Sequence, residues 1–309
     1  MIEVEQLARS YGDVVAVDGV SFGLQRGEVV GLLGHNGAGK STIMKMLTGS
    51  LEPTSGRIVI DGFDMSEHRR ALQGRIGYLP ENCPVYPDMT VVDYLDYQAV
   101  LHGVQEADRA AAVRRAVERT DLGEKALDTV GTLSRGYRQR VGVAQAILHA
   151  PDVIILDEPT NGLDPAQIHE MRALIRSLAE GACVLVSTHI LQEVRAVYDR
   201  VLMLREGHLA LDAGLDDLGG ASRLLLTVDA DPERVREVFA DMAGVSRVES
   251  LGGSGARQRY AVIAESDAEE LAPAVARRAH ESGCALYTLE PETRDLEAVY
   301  AEVNTAAAS

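Results

Sequence analysis

The stretch "GHNGAGKST", residues 34–42, decides the fold. It crowds Gly34, Gly37, Ala38 and Gly39 into one short run and closes on Lys40, Ser41 and Thr42. An apolar, β-branched segment precedes it ("GEVVGLL", 27–33) and a helical one follows ("IMKMLTG", 43–49). The run fits the pattern G-x-x-x-x-G-K-[ST] at Gly34, Gly39, Lys40 and Ser41. Glycines let the backbone wrap a phosphate with its N–H groups pointing inward. The helix that follows adds its positive N-terminus. Lys40 is expected to reach the β- and γ-phosphates of a nucleotide, and the Ser41 hydroxyl to ligate Mg²⁺. The whole loop is thus assigned to nucleotide binding: Gly34, His35, Asn36, Gly37, Ala38, Gly39, Lys40, Ser41 and Thr42. The His35 side chain is expected to point outward.

A second stretch completes the chemistry. "VIILDEPT", residues 153–160, is four apolar residues with two carboxylates at their C-terminal end. Asp157 is placed to hold Mg²⁺ through water. Glu158 is placed to polarise a water for attack on a γ-phosphate.

Composition narrows the class. The chain has 309 residues, long enough for two domains, and is 46% hydrophobic, enough for a sizeable core. Its net charge of −17 makes it a poor partner for nucleic acid, which needs basic patches. Cys83, Cys183 and Cys284 are far apart and have no metal-ligand spacing, which suits a reducing cytoplasm. The start, "MIEVEQLARSYG", has no apolar core of a signal peptide. Apolar runs such as "VIIL" and "ACVLV" are far too short to span a bilayer.

Strand and helix signals alternate to about residue 215, and a helical block runs from about 85 to 150. Within it, "TVVDYLDYQAVLHGV" shows helical spacing with Thr90 as its N-cap. "VLMLREGHLAL" reads as a closing hairpin. A second domain, about 220–305, begins after "DLGG" and reads strand, helix, strand, strand, helix, strand. That βαββαβ order is ferredoxin-like. "DLEAVYAEV" adds a last helix, and "TAAAS" is a frayed tail.

Further motifs fall between and around the first two. "LSRGYRQR" spans Leu133 to Arg140, "RSYG" carries Tyr11, and "IGYLPE" ends in Glu81. "NGLD" ends in Asp164 and "STH" in His189. In this order the set resembles the ATP-binding subunits of ABC transporters, over residues 1 to about 215. The resemblance implies an α/β P-loop ATPase core with an antiparallel β subdomain and a helical subdomain, binding ATP and Mg²⁺. It implies that Tyr11 stacks on adenine, that Glu81 stands at the Q-loop, and that His189 is the switch histidine acting with Glu158 in catalysis. Ser134 opens a helix, and with Gly136 it implies N–H donors for a γ-phosphate held by the other subunit. Asp164 falls at the D-loop, among the nucleotide-binding residues that the resemblance implies. Two ATPs then glue two such domains, a homodimer or a pair of ATPase subunits.

Two positions depart from the commonest pattern. Glu81 replaces a glutamine; its carboxylate can still ligate Mg²⁺ or water but adds negative charge near the phosphates. "LSRGYRQR" matches the family's signature sequence but reads Ser-Arg-Gly-Tyr rather than Ser-Gly-Gly-Gln, with Arg135 and Tyr137 the departures. "GYLPENCPVYPDMTV" with "LSRGYRQRVGVAQAI" looks like the branch of ABC-2-type exporters, similar to sodium-export, gliding-motility and copper-reductase-maturation subunits. The resemblance then implies an ATPase on the inner face of the cytoplasmic membrane, powering a separate transmembrane permease. Two other readings stay open: a soluble ABC ATPase without a transport role, and an importer ATPase whose C-terminal domain senses a ligand.

Overall fold

The computed structural model describes residues 1–190, 194, 196–215, 223–239, 241–254, 257–265, 268–292 and 300. The chain divides into two compact units, Met1–Leu215 and Asp216–Ser309.

The first unit is built on two sheets. Near-continuous apolar runs form strands buried on both faces, the signature of a parallel sheet covered by helices. They are β3 (Val29–Leu33), β7 (Val153–Asp157) and β8 (Cys183–Thr188), and every residue in them is buried. With β6 (Ile76–Leu79), β9 (Arg200–Arg205) and β10 (His208–Gly214) they make a six-stranded sheet in the order β10-β9-β3-β8-β7-β6. All pairs are parallel except the β9–β10 hairpin. The second sheet is antiparallel, in the order β2-β1-β4-β5: β1 (Ile2–Tyr11), β2 (Val14–Leu24), β4 (Ser55–Ile60) and β5 (Phe63–Asp64). Here buried and exposed residues alternate, as on a sheet packed on one face. One core joins both sheets with helix α1 (Lys40–Leu47), through Ile2, Leu7, Ile43, Leu47, Ile60 and Ile155 among others.

Helix α2 (Met65–Gln73) follows β5. A helical block then separates β6 from β7. It holds α3 (Val91–Leu101), α4 (Glu106–Arg119) and α5 (Arg135–Ile147), and α5 packs on β6, α3 and α4. Thr90 caps α3, accepting from the Asp93 N–H at 3.2 Å. Ser134 caps α5 by a long bond of 3.4 Å from the Tyr137 N–H. Helix α6 (Pro165–Ala179) is capped by Asp164, which accepts from the Gln167 N–H at 2.9 Å.

The second unit runs β11 (Arg223–Val228), α7 (Pro232–Phe239), β12 (Val245–Ser254), β13 (Arg257–Ala264), α8 (Ala268–Glu281) and β14 (Leu286–Glu292). Its sheet order is β12-β13-β11-β14, antiparallel throughout, which is the ferredoxin-like arrangement. Leu224, Leu226, Phe239, Tyr260, Val262 and Val275 form its core. The "DLGG" boundary, most of the last helix and the tail lie outside the described residues.

Candidate functional site

Buried β3 delivers the chain into the glycine run at Gly34. Gly39 turns it into α1 at φ 104°, and a Cβ there would stand 2.7 Å from the Ala16 carbonyl oxygen. Only glycine fits both the angle and the space. Lys40 opens α1 with 6% exposure. Its Nζ donates to the Gly34 carbonyl at 2.6 Å and to the His35 carbonyl at 3.4 Å. A buried ammonium needs such partners. It also stands 3.7 Å from Glu158 Oε1.

Strand β7 brings two carboxylates to the same place. Asp157 is its last residue, and Glu158 follows at φ 51°, a left-handed conformation rare outside glycine. Ser187, paired with Asp157 across β7 and β8, ties both. Its hydroxyl donates to Asp157 Oδ1 at 2.6 Å and accepts the Glu158 N–H at 2.9 Å. The Glu158 side chain is 2.7 Å from His189 Nδ1 through its other oxygen. Glu158 is buried, whereas the His189 side chain is 46% exposed. Strained backbone, a buried serine and a lysine on one side with a histidine on the other fix where this carboxylate points.

Gly39, Lys40, Asp157 and Glu158 line one cleft of about 470 Å³, together with Ala16, His35, Asn36, Gly37, Ser41, Thr42 and Glu81. Ser187 and His189 bond to its carboxylates without lining it. The cleft joins an ammonium, hydroxyls and carboxylates at a helix N-terminus, a donor set for a polyphosphate and a hard cation. Tyr78 on β6 registers the negative charge: burial first, then Asp157 and Glu81, pushes its hydroxyl up to about 12. Among the described residues, no group of three or more His, Cys, Asp and Glu side chains is placed to hold a metal alone. Mg²⁺ suits the cleft nonetheless. Ser41 and Asp157 offer oxygen donors, and this ion takes few protein ligands because it shares phosphate oxygens and keeps waters.

Seven expected residues do not line the cleft: Gly34, Ala38 and His189 adjoin residues that do, and Tyr11, Ser134, Gly136 and Asp164 do not. Tyr11 is exposed at the end of β1, with the Arg9 guanidinium 4.7 Å from its ring centre. Ser134 is exposed at the start of α5. Gly136 is buried against Gln167, and Asp164 spends its carboxylate on the α6 cap. Two residues of the site were not singled out from sequence, one bonded to its carboxylates and one on the cleft wall. Ser187 is detectable as a polar residue inside the buried run "VLVSTH"; Ala16 gives no signal. His35 is exposed, as expected, and contributes to the cleft wall.

Comparison with known proteins agrees with this geometry. Residues 17–161 match the family described as ABC transporter. The bacitracin transport ATP-binding protein BcrA of Bacillus licheniformis is 37% identical over 228 residues, covering 73% of this chain and 74% of that protein. The lantibiotic transport ATP-binding protein SrtF of Streptococcus pyogenes is 37% identical, covering 70% and 92%. Among solved structures, an ATP-binding subunit of an ABC transporter superposes with a TM-score of 0.64 at 32% identity, covering 71% of this chain and 91% of that one.

Proposed function

The chain belongs to the ATP-binding subunits of ABC transporters, and we propose that it hydrolyses ATP in the Lys40–Glu158 cleft to drive export through a separate membrane-spanning permease. The observation that carries the reading is Glu158, buried between Lys40 Nζ at 3.7 Å and His189 Nδ1 at 2.7 Å. A β,γ-phosphate entering the loop offers Lys40 a stronger partner than the Gly34 carbonyl. Loop N–H groups and the α1 N-terminus bind the remaining charge. Glu158 then takes a proton from a water as that water attacks the γ-phosphorus, and ADP leaves with the bridging oxygen. His189 holds the Glu158 carboxylate in line. Ser41 and Asp157 would hold Mg²⁺, with Glu81 at the same wall. When bound, the ion neutralises charge developing on the phosphate oxygens.

Ser134, Gly136 and Asp164 take the roles that a second subunit requires. Ser134 and Gly136 present the α5 N-terminus to an ATP held by the partner copy, with Asp164 beside that surface. Tyr11, exposed on the hairpin that leads into β2 and Ala16, stacks on adenine. No helix among the described residues is long and apolar enough to cross a membrane. On this reading the subunit works from the inner face of the cytoplasmic membrane on a permease in another chain. Export is favoured because the bacitracin and lantibiotic proteins are its relatives.

Glu158→Gln tests the assignment. It keeps shape and removes the base, so ATP turnover should fall about 10²–10⁴-fold. Binding of a fluorescent ATP analogue should survive. Full turnover in this variant would remove Glu158 from catalysis.

A further inference from the structure

The loop that carries Glu81 is fastened to α5 at three points. Glu81 and Asn82 form the corner of a turn closed by the Cys83 N–H on the Pro80 carbonyl at 3.0 Å. Cys83 takes a left-handed φ of 39°, unusual for a residue with a side chain. That angle lays its sulfur on α5. Its Sγ–H donates to the Arg138 carbonyl at 3.3 Å. Burial raises the thiol to about 11, so it remains a neutral donor. One turn further along α5, Gly142 supplies the space. A Cβ there would lie 2.5 Å from both Cys83 Sγ and Leu79 Cδ1.

The third point is Tyr94, fully buried on α3. Its hydroxyl is 2.5 Å from Gln145 Oε1 on α5 and 3.2 Å from the carbonyl oxygen of Pro84, the residue after Cys83. The single hydroxyl proton serves one of them, and the Gln145 amide, turned by a half-rotation, donates back to the tyrosine oxygen. Burial holds the hydroxyl protonated. Arg138, Gly142 and Gln145 recur at helical spacing on one face, and Ser134 caps the same helix one turn before Arg138.

We propose that Cys83, Gly142 and Tyr94 latch the Glu81 turn to the signature helix, so that the cleft wall and the α5 N-terminus keep a single register during ATP turnover. Tyr94 and Cys83 are positioning residues: neither touches the cleft, and both act through Glu81. The latch rests on the reading that Glu81 serves ATP hydrolysis. A displacement of either end must break the Cys83 and Tyr94 contacts or carry the other end with it.

A double-mutant cycle on ATP turnover by the full chain tests this, with binding of a fluorescent ATP analogue and thermal melting alongside. Tyr94→Phe removes only the hydroxyl, and kcat should fall ~10-fold or more, as for a misplaced catalytic group. KM should stay within about twofold, because binding contacts are untouched. Glu81→Ala should also lower kcat. Adding Tyr94→Phe to Glu81→Ala should lower it no further, since one residue acts through the other. A steric variant gives the second arm. Gly142→Ala should damage turnover by driving both Cys83 Sγ and Leu79 Cδ1 off α5, and full turnover in that variant would overturn the latch. Should Gly142→Ala fail to fold, the Tyr94–Glu81 cycle decides alone. Losses that multiply in that cycle, or full turnover in Tyr94→Phe beside a damaged Glu81→Ala, overturn the latch. Full turnover in Glu81→Ala overturns the role of Glu81 itself, and the latch with it.

Discussion

Lys40 is the cation on which the loop closes, and its burial makes its partner a matter of necessity. Its Nζ leans on the Gly34 carbonyl, and on the proposed reading the phosphates of a nucleotide take that place. Lys40→Ala should weaken ATP-analogue binding about 10- to 100-fold or more, since a hydrogen bond to a charged group is worth about 1.5–3 kcal/mol. Equilibrium fluorescence titration measures it, and unchanged affinity would refute the phosphate cradle. Ser187→Ala is a subtler case. It leaves Asp157 without its donor and the Glu158 N–H without its acceptor, all in a buried setting. It should cost about 1–3 kcal/mol in denaturant unfolding and lower turnover as well. A loss of turnover at unchanged stability would show that Ser187 orients the carboxylates without stabilising the fold. Lys40, Asp157 and Glu158 were readable because each ends a motif whose chemistry needs that residue at that spacing. Ser187 lay in plain view within "STH" but was indistinguishable from strand filler. Its role depends on which strand neighbours β7, and pairing is non-local. Ala16 is in the cleft only because β2 passes beneath Gly39.

At the scale of elements, β3, β7 and β8 declared themselves by apolar runs bounded by glycine and polar residues. Thr90 and Ser134 marked the starts of α3 and α5. The strand order of neither large sheet could be read, since β3 pairs with β8 and β9 across most of the first unit. A helix contact shows the same limit. His102, at the end of α3, stacks on His149, just past α5, with ring centres 4.3 Å apart and planes within 7°. One ring nitrogen of His149 lies 3.1 Å from the Ile76 carbonyl oxygen of β6. Burial first, then His102, lowers His149 to about 4, and burial lowers His102 too. The unfolded chain therefore binds these protons near the ordinary value of about 6.5, where the folded chain does not. Stability is complete above that value and declines as pH falls toward 4. Melting temperature measured from pH 7 down to 4.5 should drop, and His149→Phe, which keeps a flat ring without a titrating nitrogen, should flatten the slope. An unchanged slope would place the pH dependence elsewhere.

On the scale of the whole molecule, one chain offers a cleft that binds ATP and, away from that cleft, an exposed α5 N-terminus with no acidic residue in its first turn. Two copies complete each other if each presents that N-terminus to the other's nucleotide. Hydrolysis in the wild type removes the γ-phosphate that joins them, so association is transient. Glu158→Gln removes the base and also one negative charge beside the γ-phosphate, while Lys40, Ser41 and Asp157 still hold the nucleotide. Both changes favour a lasting complex. With ATP and Mg²⁺, size-exclusion chromatography with light scattering should find Glu158→Gln at twice the mass of one chain and the wild type mostly at one. Ser134→Arg in the Glu158→Gln background should return it to one chain, because a long side chain in place of the small cap would hold the two surfaces apart. ATP-analogue binding by each copy should persist, since Ser134 is absent from the cleft of its own chain. A dimer that forms equally without ATP, or one indifferent to Ser134→Arg, would mean that the copies meet through some other surface. The second unit, with its own core and sheet, would then be the first place to look.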